Sequence, residues 1–344
     1  MMAREGDLIE TEANLIFDVK GPVHPPDRVV AFIRYFPDGQ GKRTRGGRSF
    51  GKVYSLPKRY ALLKERFPEY LVYDSVFDET LCEVPVDSIK KHYRPVEKLQ
   101  ELRMSKGLDP LQDKALQFTQ LLKESADIHW NAVGISGSIM VGLHTPESDI
   151  DPIVYGSENC KRVYSALESM FENGHESVKP YTRQDMRVLF DFRSKDTAIG
   201  FEDFVRSESR KVMEGKFIGT DYFVRFVKDW NENDENYGDV QYKNIGNAKV
   251  EATVVDDSES TFTPCIYKIE NVKPLEGSTI ERIEEITSFR GRFCEQARKG
   301  ETVVAQGKIE RVNNRRQNNE HFRLLVGGRH SDYIVLKDRV LSSQ

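Results

Sequence analysis

The sequence contains no apolar run approaching the roughly 18 residues of a membrane-spanning helix, so no membrane span is expected. Its first residues, MMAREGDLIETEANLIFDV, lack the apolar core of a secretory signal. It has four cysteines, Cys82, Cys160, Cys265 and Cys294, far apart and with no C-x-x-C pair. That argues against a cysteine zinc site and against a disulfide framework, and it suits a reducing, cytoplasmic setting. None of the seven histidines stands at a metal-binding spacing such as H-x-x-x-H. The two tryptophans, Trp130 and Trp230, flank apolar stretches and are expected in the core. Neither charge is in marked excess. Lys and Arg number 51 and Asp and Glu 55, a net of −4, which taken alone argues against a nucleic-acid partner.

The chain has 344 residues, 38% of them hydrophobic. That fraction supports packed cores, and the length suits two or three domains of about 100–150 residues. The charge is uneven. Residues 27–66 carry eleven Lys/Arg against three Asp/Glu, 67–89 carry six acids and no base, and 286–330 carry ten Lys/Arg against four acids. Blocks of this kind mark different surfaces, so the small net charge is a sum of opposed regions.

The N-terminal third reads as mostly strand. Arg28–Phe36 is β-branched and aromatic, and a basic loop over 39–51 leads to a short strand at 52–54. A helix is expected over 59–67, and strands near 70–77 and 81–86. In the middle third, Asp109-Pro110 is an N-cap followed by proline in the first helical position, and the helix should run to Ser125 with Leu111, Ala115, Phe118 and Leu122 on one face. A strand over 131–135, a helix beginning at Gly137-Ser138, a strand over 149–155 and helices over 158–171, 183–193 and 202–213 follow. The last third alternates in the manner of strands, at 222–227, 248–255, 266–269, 303–309, 322–326 and 333–336, with one helix expected near 279–287. The Asn/Arg-rich run 313–319 reads as a loop.

The most informative segment is Val133-Gly134-Ile135-Ser136-Gly137-Ser138-Ile139-Met140, continuing to Ser148-Asp149-Ile150-Asp151-Pro152-Ile153-Val154-Tyr155. A strand delivers a Gly-Ser turn to a helix start. Gly137 lets backbone approach an anion, Ser138 offers a hydroxyl donor, and the helix end offers unpaired N–H groups, which together make a phosphate site. Asp149 and Asp151, two residues apart on the next strand, face one side and are oxygen ligands suited to Mg²⁺. The alternative is a capping Ser138 and two solvated strand-end aspartates.

Hydrophobic strand, Gly-Ser, then Asp-x-Asp opening another strand resembles the pattern of the polymerase-beta-like nucleotidyltransferase superfamily, over roughly residues 109–175. The flanking thirds look like those of predicted archaeal nucleotidyltransferases of similar length. The resemblance implies an α/β (α+β) fold with a polymerase-beta-like mixed sheet. It implies that Gly137 and Ser138 hold the triphosphate of an NTP, and that Asp149 and Asp151 with a third acid bind two divalent ions, Mg²⁺ or Mn²⁺. For the third acid Glu251 is favoured, on a strand over 248–255, with Asp256 and Asp191 as the other choices. Pro152 departs from the pattern, in which a hydrophobic residue is usual after the second Asp. Proline cannot donate to a ladder, so an edge or bulged strand is expected there.

Gly41-Lys42-Arg43-Thr44-Arg45-Gly46-Gly47-Arg48-Ser49-Phe50-Gly51-Lys52 is the densest positive stretch. It is not a Walker A loop, and it suits either a phosphate backbone read without sequence preference or a solvated hairpin tip. Ser288–Phe293 alternates Arg290 and Arg292 with two phenylalanines, which suits a β-barrel nucleic-acid surface or an amphipathic strand with arginines in water. His144 precedes the Asp pair in a turn, where it either contacts substrate or sits at the surface.

The expected organisation is a β-rich basic domain over 1–107, a nucleotidyltransferase core over 108–272 and a β-rich, barrel-like domain over 273–344. The expected activity transfers a nucleoside monophosphate from an NTP to a hydroxyl and releases pyrophosphate, with nucleic acid, RNA more than DNA, as acceptor. The alternatives are a transferase acting on a small molecule or protein, and a non-catalytic nucleic-acid-binding relic.

Overall fold

The structure, a computed structural model, describes residues 1–278 and 282–337. Its N-terminal part follows the β-branched sequence. Strands Leu8–Thr11 (β1), Ile16–Val19 (β2) and Arg28–Pro37 (β3) pair antiparallel. The basic loop is itself ordered as a hairpin of Arg43–Arg45 (β4) and Arg48–Lys52 (β5), which pairs with β3. Ile89–Tyr93 (β8) closes the other side against β1. Leu71–Asp74 (β6) and Glu79–Pro85 (β7) attach through β3. Helix α1, Leu56–Arg66, starts under the side-chain cap of Ser55, with Pro57 in its first turn. Helix α2 covers Pro95–Met104.

Asp109 caps α3, Pro110–Ser125, in a reciprocal box with Gln112, and the expected face of Leu111, Ala115, Phe118 and Leu122 is buried. Strand β9, Val133–Ile135, a single helical turn α4, Gly137–Met140, strand β10, Pro152–Tyr155, and helix α5, Ser157–Glu172, follow. Farther along, Val178–Lys179 (β11), Glu214–Phe217 (β12) and Thr220–Phe223 (β13) form a small antiparallel sheet. Arg225–Val227 (β14) lies parallel to β10, which is antiparallel to β9. The architecture is therefore mixed α+β. Pro152 does not mark an edge, because β10 is the middle strand. Proline stands at its first position, where a missing donor is tolerated.

The chain divides into two compact units: Met1–Asp74, Thr80–Tyr181 and Val212–Tyr237 form one, and Ser75–Glu79, Thr182–Lys211 and the chain from Gly238 onward form the other. The boundary expected at 107 falls inside the first unit. Leu8, Ile16, Tyr35 and Phe50 of the N-terminal sheet form one buried cluster with Met140, Val141 and Leu143, so the apolar face of that sheet is completed by residues of the segment after the Gly-Ser turn. The boundary expected at 272 falls inside a strand, Cys265–Gly277.

The second unit contains helices α6, Arg183–Arg193, and α7, Phe201–Glu208, and a barrel. Its strands are Val240–Asp256 (β15), Cys265–Gly277 (β16), Ile283–Ser288 (β17), Thr302–Asn314 (β18), Asn319–Leu325 (β19) and Tyr333–Leu336 (β20). The ring closes in the order β15, β16, β17, β19, β18 and back to β15, with β20 added to β18. β17 and β19 are parallel and the other pairs antiparallel. Val303, Ala305 and Ile309 of β18 alternate inward with Val250, Ala252 and Val254 of β15 among the buried residues. The helix expected near 279–287 is replaced over 283–288 by β17, and 279–281 lie outside the described residues. β17 buries every residue but Glu284, and so short a run without clear alternation is ambiguous between strand and helix in sequence.

Candidate functional site

Gly137 follows β9 with φ +64°, a left-handed conformation suited to glycine. A Cβ there would stand 1.9 Å from Oδ2 of Asp151 and 2.8 Å from its Cγ. The Gly-Ser turn and the second aspartate are thus packed face to face. Ser136 N–H donates to the Asp151 carbonyl at 2.9 Å, and Ser136 Oγ donates to the Gly6 carbonyl at 2.6 Å, tying the turn to β10 and to the N-terminal segment. The helix that begins here is one turn long, so its dipole is small, and the anion-binding capacity lies in the Gly137 turn and Ser138 instead. Ser138 is 2% exposed and its hydroxyl has no hydrogen-bond partner among the described residues. A buried unpaired hydroxyl costs free energy that a phosphate oxygen would recover.

Asp149 is exposed and Asp151 half-buried, and neither carboxylate makes a hydrogen bond or ion pair among the described residues. Burial and, after it, the neighbouring Asp149 push Asp151 up to about 7, against the opposing pull of Arg225, Lys52 and Arg34. Two such carboxylates fit one hard divalent cation, which takes one or two carboxylates together with substrate phosphates. Among the described residues no group of three or more metal-ligating side chains forms.

The basic N-terminal region forms a wall of this site. Arg43 donates to the Leu143 carbonyl and to Ser148 Oγ at 3.3 Å. Arg45 donates to the Val141 carbonyl at 3.1 Å and to Glu10 at 2.5 Å. Both arginines therefore pin the hairpin to the segment that joins Ser138 to Asp149. Arg34 pairs with Asp18 at 3.0 Å, Lys20 bridges Asp18 and Glu5 at 3.3 and 2.7 Å, and Arg225 pairs with Glu5. Lys52 pairs with no carboxylate among the described residues and rests against the rings of Tyr54 and Tyr35. Arg48, beside the hairpin turn, and Lys42, just before its first strand, are exposed. Arg34, Lys52 and Arg225 are functional candidates that sequence reading did not single out individually. Lys52 and Arg34 were visible only as part of a basic block, and Arg225 carried no signal.

Glu251 does not belong to the unit that holds the aspartates. It lies in β15 of the second unit, where Lys337 approaches one oxygen at 2.5 Å and Lys273 the other at 3.7 Å. Its strand does alternate as expected, but the register that matters is that of β13 and β14 beside β10. Asp256 and Asp191 also belong to the second unit, in β15 and α6. Ile150 bridges Tyr222 in parallel and Ile153 pairs with Arg225, so Asp149 runs beside Asp221 and Asp151 beside Phe223. Asp221 is itself bound to Lys216 at 2.9 Å. His144 does not merely sit in a surface turn, since its Nε2 lies 2.7 Å from Asp109 Oδ2, which joins the Asp149 loop to the cap of α3.

The C-terminal basic block is largely neutralised within its own unit. Arg290 and Arg292 reach Asp196 at 3.0 and 3.8 Å and are mostly buried, correcting the expectation of two arginines in water. Lys308 and Arg323 share Glu310 at 2.7 and 2.8 Å, and Arg316 approaches Asp239 at 3.5 Å.

No family model and no solved structure matches the chain. It is 32% identical over 348 residues to the uncharacterized protein MJ1086 of Methanocaldococcus jannaschii, an alignment that covers 98% of this chain and all of the relative. The chain belongs to the MJ1086 family. The alignment spans both compact units of the chain. No helix of the described residues is long and apolar enough to cross a membrane.

Proposed function

We propose that this protein is a divalent-metal-dependent nucleotidyltransferase of polymerase-beta-like type, moving a nucleoside monophosphate from an NTP to a hydroxyl. The observation that carries the reading is the packing of Asp151 over Gly137, beside the buried, unpaired hydroxyl of Ser138 and the unpaired Asp149. Asp149 and Asp151 would hold Mg²⁺ or Mn²⁺, which would lower the pKa of the acceptor hydroxyl and neutralise phosphate charge. Ser138 and the backbone of the Gly137 turn would hold phosphate oxygens, with the Ser138 hydroxyl donating. The acceptor oxygen forms a bond to the α-phosphorus, its proton passes to solvent, and the bond to the departing pyrophosphate breaks.

The acceptor is nucleic acid, with RNA favoured, on the exposed Lys42 and Arg48 of the hairpin region that walls the site, Arg48 beside its Gly46-Gly47 turn and Lys42 just before its first strand. The pairing of Arg290 and Arg292 with Asp196 favours a second reading, a small-molecule or protein acceptor, because it withdraws charge from the C-terminal block. All four cysteines are buried free thiols, which supports a cytoplasmic location.

The deciding experiment supplies labelled NTPs with Mg²⁺ or Mn²⁺ and a panel of RNA, DNA, protein and small-molecule acceptors. Incorporation that is lost in the folded Asp149→Asn/Asp151→Asn variant supports the reading, and equal incorporation by that variant overturns the site. No incorporation under any condition, together with salt-dependent RNA or DNA binding, identifies a non-catalytic binding protein.

A further inference from the structure

The second unit holds a small cleft that nucleotidyl transfer does not use. The end of α6, the chain between α6 and α7, α7 itself and the connection from β17 to β18 enclose it. Phe190, Phe204 and Phe293 give it apolar walls, and Arg193, Thr197 and Arg292 bring polar groups to it. Its room is about that of one water molecule or one small ion.

Arg292 is the group short of a partner. Its side chain is 14% exposed. Nη1 donates to the Arg193 carbonyl at 3.3 Å and to Thr197 Oγ1 at 3.2 Å. Nε and Nη2 make no hydrogen bond among the described residues, and the one carboxylate in ion-pair range there is Asp196, 3.8 Å from Nη2. The same Asp196 oxygen already holds Arg290 at 3.0 Å. Glu208, the other carboxylate of the cleft, is shared by Arg193 and Lys211 at 2.8 and 2.7 Å. Two buried carboxylates of this cluster thus serve four mostly buried cations. Burial, and after it the charges of Arg290 and Arg193, pull Arg292 down to about 8. Thr197 is buried, and its hydroxyl accepts from Arg292 and donates to nothing among the described residues.

We propose that this cleft binds one small monovalent anion, of the chloride or formate kind, on the Nε–Nη2 edge of Arg292, with the Thr197 hydroxyl as a further donor. The anion supplies the negative charge that Asp196, already committed to Arg290, does not. A buried guanidinium with an open edge costs free energy, and a charge-assisted contact recovers part of it. The size of the cleft and its three phenylalanines select against a strongly hydrated polyanion such as phosphate, whose dehydration one guanidinium edge does not offset. The cleft lies in a different unit from Gly137, Asp149 and Asp151, so its occupancy is independent of nucleotidyl transfer.

The test unfolds the full chain by heat in sodium chloride, formate, gluconate or phosphate, at one pH and equal ionic strength, and reads chloride NMR line widths in parallel. Gluconate is too large for the cleft and serves as the control. The melting temperature should rise with each tenfold step in chloride or formate that replaces gluconate. The chloride line should broaden in proportion to protein, and formate should reverse the broadening. Both effects should vanish in Arg292→Gln and need a severalfold higher anion concentration in Thr197→Val. Equal melting temperatures in chloride and gluconate, with no broadening, overturn the site. An effect retained in folded Arg292→Gln overturns its assignment to Arg292. Where that variant does not fold, wild-type broadening that formate fails to displace overturns the proposal. A shift in phosphate as large as that in chloride overturns the small monovalent class.

Discussion

The carboxylate of Asp151 lies so close over Gly137 that a methyl group on the glycine would stand 1.9 Å from Oδ2. The segment from Gly137 to Asp151 is thereby closed on itself, with the Gly-Ser turn and the second aspartate in direct contact.

Gly137→Ala tests that contact. The substitution meets both a left-handed backbone, costing about 1–2 kcal/mol, and the aspartate itself. The expected outcome is a folded protein with a lowered melting temperature and at least tenfold weaker Mn²⁺ binding. Unaltered Mn²⁺ affinity would show that Asp151 is not held by this packing.

Asp151 should make stability fall as pH rises. Its carboxyl is pushed up to about 7 from an ordinary value of 3.8, so its contribution is fully present below about pH 4 and is lost as pH passes through 7. Metal-free Asp151→Asn should therefore be more stable than wild type at pH 8, by a few kcal/mol, and the gap should close at pH 4. Chemical denaturation at the two pH values in the presence of a chelator measures it. Adding a divalent cation at pH 8 should stabilise wild type and leave the variant unchanged.

His24 acts in the opposite direction. Its Nδ1 accepts from the Val30 N–H at 3.3 Å, which leaves Nε2–H to donate to the Ala3 carbonyl at 2.9 Å, so the ring is neutral. Burial lowers it to about 4 from 6.5. In the unfolded chain it gains a proton below 6.5, so stability is lost as pH falls from 6.5 towards 4. Between pH 7 and 4.5 wild type should lose about 2–3 kcal/mol more than His24→Gln. Parallel pH profiles for the two proteins would remove His24 from the account.

Asp196 is the counter-charge for two buried arginines, Arg290 and Arg292. Asp196→Ala should cost about 3–5 kcal/mol, since breaking a buried pair strands charge. Arg290→Met should reduce stability and leave RNA affinity and its salt dependence unaltered. A smaller salt slope in Arg290→Met would instead return that arginine to a nucleic-acid surface.

Much of this was legible in the linear chain. The cap at Asp109, the strand at 28–37, the turn at Gly137-Ser138 and the Asp149/Asp151 pair follow from local chemistry, in which caps, proline and alternation act within a few residues. The single helical turn at 137–140 was not legible, because whether a helix continues depends on what packs against it. The strand at 283–288 was short enough to read as either period.

Local sequence alone determined the chemical inventory: a glycine, a hydroxyl and two carboxylates at spacings that strand and turn geometry bring together. Only the tertiary structure decided their company. Pairing β10 with β14 sets Phe223 and Arg225, not an acid, beside Asp151, and burying Tyr35 and Phe50 against Met140, Val141 and Leu143 carries Lys52 and the basic hairpin to the same site. Strand register and apolar burial join residues more than a hundred positions apart, and no spacing rule along the chain encodes them.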